Sequence, residues 1–284
     1  MATTMDSSPT LIRPYGGASP ALVRQRTRTG QEQSNYFRWK SLVDRGLAAA
    51  LLIPCLPIIG ILVLLVRLTS RGPGMYRQAR VGKDGRVFLL YKIRTMAVDA
   101  ESRTGAVWSG RDDPRVTPLG RLLRRTHLDE FPQLLNVLKG EMSLVGPRPE
   151  RPEFVDILSG EISRYSERLT VPPGITGLAQ LNLPPDSDTN DVRRKLLLDL
   201  EYLQEAGWFL DLRILLATSG RVLKLSTVGI LGLSRQVPAV VDDELLSVGK
   251  TTHMVNSGHV AKNIRFPSIA LQRPAPVAGQ MRGE

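Results

Sequence analysis

Cysteine is almost absent from this chain, and aromatic side chains are sparse. The single cysteine, Cys55, excludes an intrachain disulfide and any multi-cysteine metal site. It lies inside an apolar run, where it reads as a small hydrophobe. The three histidines, His127, His253 and His259, stand without metal-ligand spacing. Phe, Trp and Tyr make up 5% of the residues, and no basic strand is interleaved with them. Binding of single-stranded nucleic acid wants stacking platforms, so that class is disfavoured. There is no Walker-type phosphate loop, and GxGxxG, HExxH and GxSxG are missing too. Gly82-Lys83-Asp84-Gly85 is a turn signal and nothing more. No internal repeat is found. Residues 1–36 lack the apolar stretch of a signal peptide and are expected as a disordered arm.

Positive charge is what the chain has in excess. The formal net charge is +11, which favours anionic partners such as nucleic acid, anionic lipid or phosphorylated substrates. Residues 47–66 carry no charge, and their length matches the roughly 20 residues that span a bilayer. Pro54 and Pro57 fall near the middle of this run, where each removes a backbone donor, so a kink or break is expected there. Basic residues flank both ends: Arg38, Lys40 and Arg45 before, Arg67, Arg71, Arg77, Arg80 and Lys83 after. Basic flanks mark the cytoplasmic side, and here both ends carry them. A re-entrant hairpin over residues 37–72, broken at Pro57 and Pro54, satisfies both signals. A kinked single span and a buried soluble helix are the alternatives.

After this segment, residues 73–96 read as two short strands around a turn, and 99–113 as a polar loop. Residues 117–125 have the spacing of a short amphipathic helix. A second helix is expected from Leu128 to about Lys139, capped by Gly140. Further helices are expected over 150–169, from about 190 along the stripe Val192, Leu196, Leu197, Leu200 and Leu203, and over 208–225. In the last of these, Trp208 and Phe209 face either a lipid interface or the core. From about Ser234 the periodicity fades and a mostly disordered tail is expected, over 234–284. The fold class is therefore α+β and mostly helical. Its parts are a membrane helix-break-helix, amphipathic interfacial helices and a small β-hairpin, with the globular domain over 73–233.

The chemistry concentrates in Leu128-Asp129-Glu130 and Pro147-Arg148-Pro149. Acidic residues and proline are at home in a helix's first turn, so Asp129, Glu130 and Pro132 have a purely structural reading. Arg121, Arg124 and Arg125 lie just upstream and Arg148 just downstream, which adds a second reading. Carboxylates holding a metal and arginines holding phosphate oxygens would suit a magnesium-bound diphosphate. Adjacent helical residues point apart, so the two carboxylates should differ in role; one division makes Asp129 the nucleophile and Glu130 the metal ligand. The prolines around Arg148 present it from a stiff turn, suited to bidentate phosphate binding or simply to a surface turn. Lys92 and Arg94 alternate with apolar residues, as on a half-exposed strand.

Taken together, these segments resemble the bacterial sugar transferase family, the monotopic phosphoglycosyl transferases. The likeness covers about residues 38–225. It runs through Lys40, Asp44, Pro57, Gln78-x-Arg80-Val81-Gly82, Tyr91-Lys92-x-Arg94-Thr95-Met96 and Asp113-Pro114-Arg115-x-Thr117. It continues through Leu128-Asp129-Glu130-x-Pro132-Gln133-Leu134-x-Asn136-Val137-Leu138-Lys139-Gly140 to Pro147-Arg148-Pro149, then Pro173-Gly174-Ile175-Thr176-Gly177 and Asp199-x-x-Tyr202. Leu56, His127 and Pro172 depart from the usual pattern. The resemblance implies a re-entrant membrane segment and an active site on the cytoplasmic face of the bacterial inner membrane, with both termini there too. It implies transfer of a sugar 1-phosphate from a UDP-sugar to polyprenyl (undecaprenyl) phosphate, with Mg2+ required. Asp129 and Glu130 would be the catalytic and metal-holding dyad, with Arg148, Arg124, Lys92 and Arg94 holding phosphate. The aspartate would carry the phosphosugar covalently and release UMP, at the start of exopolysaccharide, capsule, O-antigen or glycoprotein glycan synthesis. A homodimer or a polysaccharide-assembly complex is left open. The competing classes are a non-enzymatic basic membrane protein and, less compatible with the apolar segment, a nucleic-acid binder.

Overall fold

A 39-residue helix, α1 (Gln31–Thr69), opens the described part of the chain and dominates it. The structure, a computed structural model, describes residues 31–101, 113–223, 225 and 227–247. The outer part of the expected N-terminal arm, most of the 99–113 loop and the far tail lie outside these residues. Residues 31–36, expected as part of the arm, are helical. Tertiary contacts account for this: the Tyr36 hydroxyl donates to Asp211 at 2.6 Å, and its ring meets Trp208 edge-on with centroids 5.2 Å apart.

Pro54 and Pro57 lie inside α1, and the expected break is not resolved into two helices. Each proline withdraws one amide donor, while the turns on either side keep the chain helical. The helix is long and apolar enough to cross a membrane, and only 17% of its most apolar window is buried. Both of its limbs nevertheless anchor on the same globular body. On the first limb, Ala48 and Leu52 enter the main core with Val137, Leu144 and Ile214. On the second, Val66 packs with Ile93 and Leu123. Between them Ile53, Leu56, Ile61 and Leu64 are exposed.

The first limb is fixed by a buried polar cluster. Lys40 bridges Asp44 at 3.0 Å and Asp211 at 2.5 Å. Asp44 also accepts from the Ser143 hydroxyl and the Leu144 amide, and the Tyr202 hydroxyl donates to Asp211. Removing one member leaves buried donors without an acceptor. Asp44→Ala is therefore expected to cost about 3 kcal/mol of stability. That corresponds to a fall of roughly 6–12 °C in the thermal midpoint of the detergent-solubilised protein. An unchanged midpoint would show that the cluster does not hold α1 in place.

The globular body carries two small sheets. β1 (Met75–Val81) and β2 (Val87–Ile93) form the expected antiparallel hairpin, with Arg77 opposite Tyr91. α2 (Pro118–Thr126) follows, its N-cap Thr117 accepting from the Gly120 amide. The expected helix from Leu128 to Lys139 is two pieces: a 3-10 stretch, Leu128–Gln133, and α3 (Leu134–Lys139). His127 at φ 56° ends α2 in the left-handed region and turns the chain into the 3-10 stretch. Gly140, at φ 79°, caps α3 as expected.

Sequence periodicity does not reveal the second sheet. β3 (Ser143–Val145) and β4 (Gly174–Thr176) pair in parallel, three residues each. A side chain on Gly174 would strike the Gly146 backbone, so the two strands meet as closely as they do only through glycine. The expected helix over 150–169 splits into α4 (Pro152–Glu161) and a 3-10 stretch, Tyr165–Thr170, at Arg164 with φ 63°. α5 (Leu178–Asn182), α6 (Thr189–Glu205) and α7 (Trp208–Val222) complete the core. The described chain stays packed past Ser234. After α8 (Thr227–Ile230) it runs on to α9 (Asp243–Ser247), and Leu233, Val241 and Leu246 are buried. These isolated apolar residues have no period to detect, yet they fill sockets in the core.

Candidate active site

Three chain segments converge on the Asp129–Glu130 pair. The 3-10 stretch presents both carboxylates, β2 supplies Lys92, and the turn after β3 supplies Arg148. One oxygen of Glu130, Oε1, accepts from Lys92 Nζ at 2.9 Å and from Arg148 at 2.9 Å. Burial alone would raise the Glu130 carboxyl, but Arg148 and Lys92 outweigh it and hold it well below the usual carboxylate range. Glu130 in turn pushes the Arg148 guanidinium upward, and burial draws Lys92 downward.

Asp129 sits in a different state. It is 6% exposed, and burial raises its carboxyl above the ordinary value despite Lys92, Arg124 and Arg148 nearby. Among the described residues, no hydrogen bond reaches this carboxylate. The pair is thus asymmetric: one carboxylate is clamped by two cations, and the other lies in their field without a hydrogen bond among the described residues. A buried, unbonded carboxylate flanked by cations is suited to attack a phosphorus atom whose oxygens those cations hold.

The Pro147-Arg148-Pro149 turn is held from both sides. Arg80 donates to the Pro149 carbonyl at 3.1 Å, and Arg168 to the Arg148 carbonyl at 2.9 Å. Arg168 is itself paired with Asp199 at 2.8 Å and bonded to the Tyr165 hydroxyl. Burial pushes the Asp199 carboxyl up to about 6, against the pull of Arg168. Arg80, Arg168 and Asp199 position Arg148 without facing the carboxylates, and sequence reasoning assigned them no such role. The only available signals were Arg80 and Asp199 inside quoted motifs; nothing in the sequence marks Arg168.

Arg124 lies beside the pair. Its Nε donates to the Thr95 hydroxyl at 2.9 Å, and Asp129 is its strongest charged neighbour. Arg94 is placed elsewhere. It donates to the Pro73 and Ser70 carbonyls at 2.6 and 3.0 Å and to the Ser70 hydroxyl at 2.9 Å, tying the end of α1 to β2. β2 ends at Ile93, so Arg94 leaves the alternation that would have put it beside Lys92.

The protein alone does not make a metal cage: among the described residues, no group of three His, Cys, Asp or Glu side chains could hold an ion. Two carboxylates do suit Mg2+ when water and substrate phosphates complete its shell. Glu130 fits this use, because its bonds from Lys92 and Arg148 both fall on Oε1.

The family model described as bacterial sugar transferase matches residues 35–225. A Bacillus subtilis (strain 168) protein provisionally named an undecaprenyl-phosphate N-acetylgalactosaminyl 1-phosphate transferase is 47% identical over 139 residues, covering 49% of this chain and 77% of that one. An undecaprenyl-phosphate glucose phosphotransferase of Komagataeibacter xylinus is 40% identical over 187 residues, 64% of this chain and 35% of that one. A UDP-N-acetylgalactosamine-undecaprenyl-phosphate N-acetylgalactosaminephosphotransferase of Aeromonas hydrophila is 42% identical, covering 64% of this chain and 44% of its own length. The chain therefore spans less than half of the latter two relatives.

Proposed function

Since the chain belongs to the bacterial sugar transferase family, we propose that it transfers a sugar 1-phosphate from a UDP-sugar to undecaprenyl phosphate at a membrane surface. The observation that carries this reading is the asymmetry of the carboxylate pair, with Asp129 unbonded beside the Lys92–Glu130–Arg148 clamp.

In the first half-reaction, an Asp129 oxygen attacks the phosphorus that bears the sugar. A P–O bond of the diphosphate breaks, UMP leaves, and an aspartyl phosphosugar remains. In the second, a phosphate oxygen of the polyprenyl phosphate attacks the same phosphorus. The acyl-phosphate bond breaks, the Asp129 carboxylate is restored, and the polyprenyl diphosphate-sugar forms. Arg148, Lys92 and Arg124 neutralise charge on the phosphoryl oxygens as it builds up. Glu130 and Asp129 would hold Mg2+, which when bound neutralises diphosphate oxygens. Glu130 also keeps Lys92 and Arg148 in place. Arg94 holds α1 against β2 in this scheme.

Two substrates of opposite solubility must meet, and α1 supports a seat at the membrane. Its exposed apolar centre surrounds Pro54 and Pro57, while both limbs anchor on one globular body. That favours a path entering and leaving on the cytoplasmic face over a straight span. The relatives' names differ in the sugar moved, so the donor is left as a UDP-sugar. UMP release from a panel of UDP-sugars, with and without undecaprenyl phosphate, tests the reaction. One sugar is expected to give stoichiometric UMP without the lipid and turnover with it. No UMP from any donor would overturn the proposal.

A further inference from the structure

Successive side chains alternate across a strand, so Tyr91 lies on the face of β2 opposite Lys92. Two cations share its ring. The Arg77 guanidinium is 5.7 Å from the ring centroid and Lys139 Nζ is 4.5 Å away. Lys139 also donates to the Tyr91 hydroxyl at 2.7 Å, which leaves that hydroxyl's own proton to donate outward. A third cation comes from α1, where the Arg45 guanidinium packs on Gly140, the residue after Lys139.

This cluster is set by the fold. Asn136 is fully buried; its Oδ1 accepts from the Tyr91 amide, and its Nδ2 donates to the Leu89 carbonyl and to Glu141. It thereby fixes β2 against α3 and Tyr91 against Lys139. Among the described residues, Arg45, Arg77 and Lys139 form no ion pair. The neighbouring carboxylate, Glu141, already accepts from Asn136 at 2.7 Å. Cations gathered around one ring repel each other, and an anion among them would relieve this.

The surroundings say which anion. Leu89 and Leu138 beside the cluster are 42% and 41% exposed. Arg45 stands two residues before the uncharged run of α1 that starts at Leu47. Cations beside exposed leucines, at the start of a membrane helix, match a headgroup phosphate with acyl chains below it. We propose that Arg45, Arg77, Lys139 and the Tyr91 hydroxyl bind the phosphate of an anionic membrane phospholipid, at a site separated by β2 from the carboxylate pair. The inference rests on the membrane seating proposed above.

The test uses the full chain in neutral detergent micelles, titrated with phosphatidylglycerol or phosphatidylcholine and read by native mass spectrometry. The wild type is expected to retain one phosphatidylglycerol in preference to phosphatidylcholine. Arg77→Gln with Lys139→Gln should weaken phosphatidylglycerol binding roughly tenfold or more, with the phosphatidylcholine signal unmoved. Lys83→Gln with Arg86→Gln removes the same charge from the exposed β1–β2 turn and should change nothing. Equal binding by the two double variants would overturn the proposal. So would displacement of the lipid by inorganic phosphate at equal concentration, which would assign the cluster to a soluble anion. Flotation with phosphatidylcholine vesicles tests the membrane seating separately. Both double variants should float like the wild type, and a wild type that stays at the bottom would defeat the seating itself.

Discussion

Asp129→Asn is expected to lower sugar-phosphate transfer by at least about 10^4-fold and to abolish any covalent phosphosugar adduct. The amide keeps the side chain's shape and removes the attacking oxygen. Intact-mass measurement after mixing with a UDP-sugar alone separates this from a binding defect, because a variant that only binds poorly would still label slowly. A variant that labels at the wild-type rate would remove Asp129 from the mechanism. The same residue sets the expected pH dependence. Burial raises its carboxyl above the ordinary 3.8, and attack needs the ionised form. Activity should therefore fall with decreasing pH through a value above the usual aspartate range. A raised carboxyl also means that the folded state holds the proton more tightly than the unfolded state. This group's contribution to stability is then present at low pH and lost as pH rises through its folded value. Asp129→Asn should thus be inert yet at least as heat-stable as the wild type at neutral pH, as expected of a charge retained for chemistry at a cost in stability.

Glu130→Gln is expected to move stability the other way. The Glu130 carboxyl lies below its ordinary value because Arg148 and Lys92 outweigh its burial. Its contribution is present above the unfolded carboxyl pKa and is lost as pH falls toward the folded one. A neutral amide leaves two cations without their shared acceptor, which should cost about 3 kcal/mol. Transfer should fall roughly 10^2- to 10^3-fold, because Arg148 and Lys92 lose the group that aims them. Thermal melts of both variants at neutral pH, beside UMP-release rates, check the pair. Melting shifts of the same sign would refute the division of roles between the two carboxylates.

Local signals made much of this molecule legible in its sequence. The β1–β2 hairpin follows from alternation around Lys83-Asp84-Gly85. α2 follows from its leucine spacing, and the end of α3 from Gly140. The carboxylate pair, its arginines and the proline-bearing apolar run were visible as residue types in order. The misses have a common cause. Three-residue strands such as β3 and β4 carry no period, and α1 starts early because Tyr36 finds Trp208 and Asp211. Arg94 looked equivalent to Lys92 until the strand ended between them.

The sequence by itself determined which chemistry was available: two adjacent carboxylates of different potential role, a stiffly presented arginine, and an apolar segment with basic ends. Only the tertiary structure decided which of these groups meet. Lys92 and Arg148 stand 38 and 18 residues from Glu130, yet both meet one of its oxygens, while neither bonds Asp129. Arg80 and Arg168 hold the turn that aims Arg148. Charge density and order along the chain are local properties. Which carboxylate is clamped and which is left without a hydrogen bond depends on long-range packing, and packing also shifted their pKa values in opposite directions.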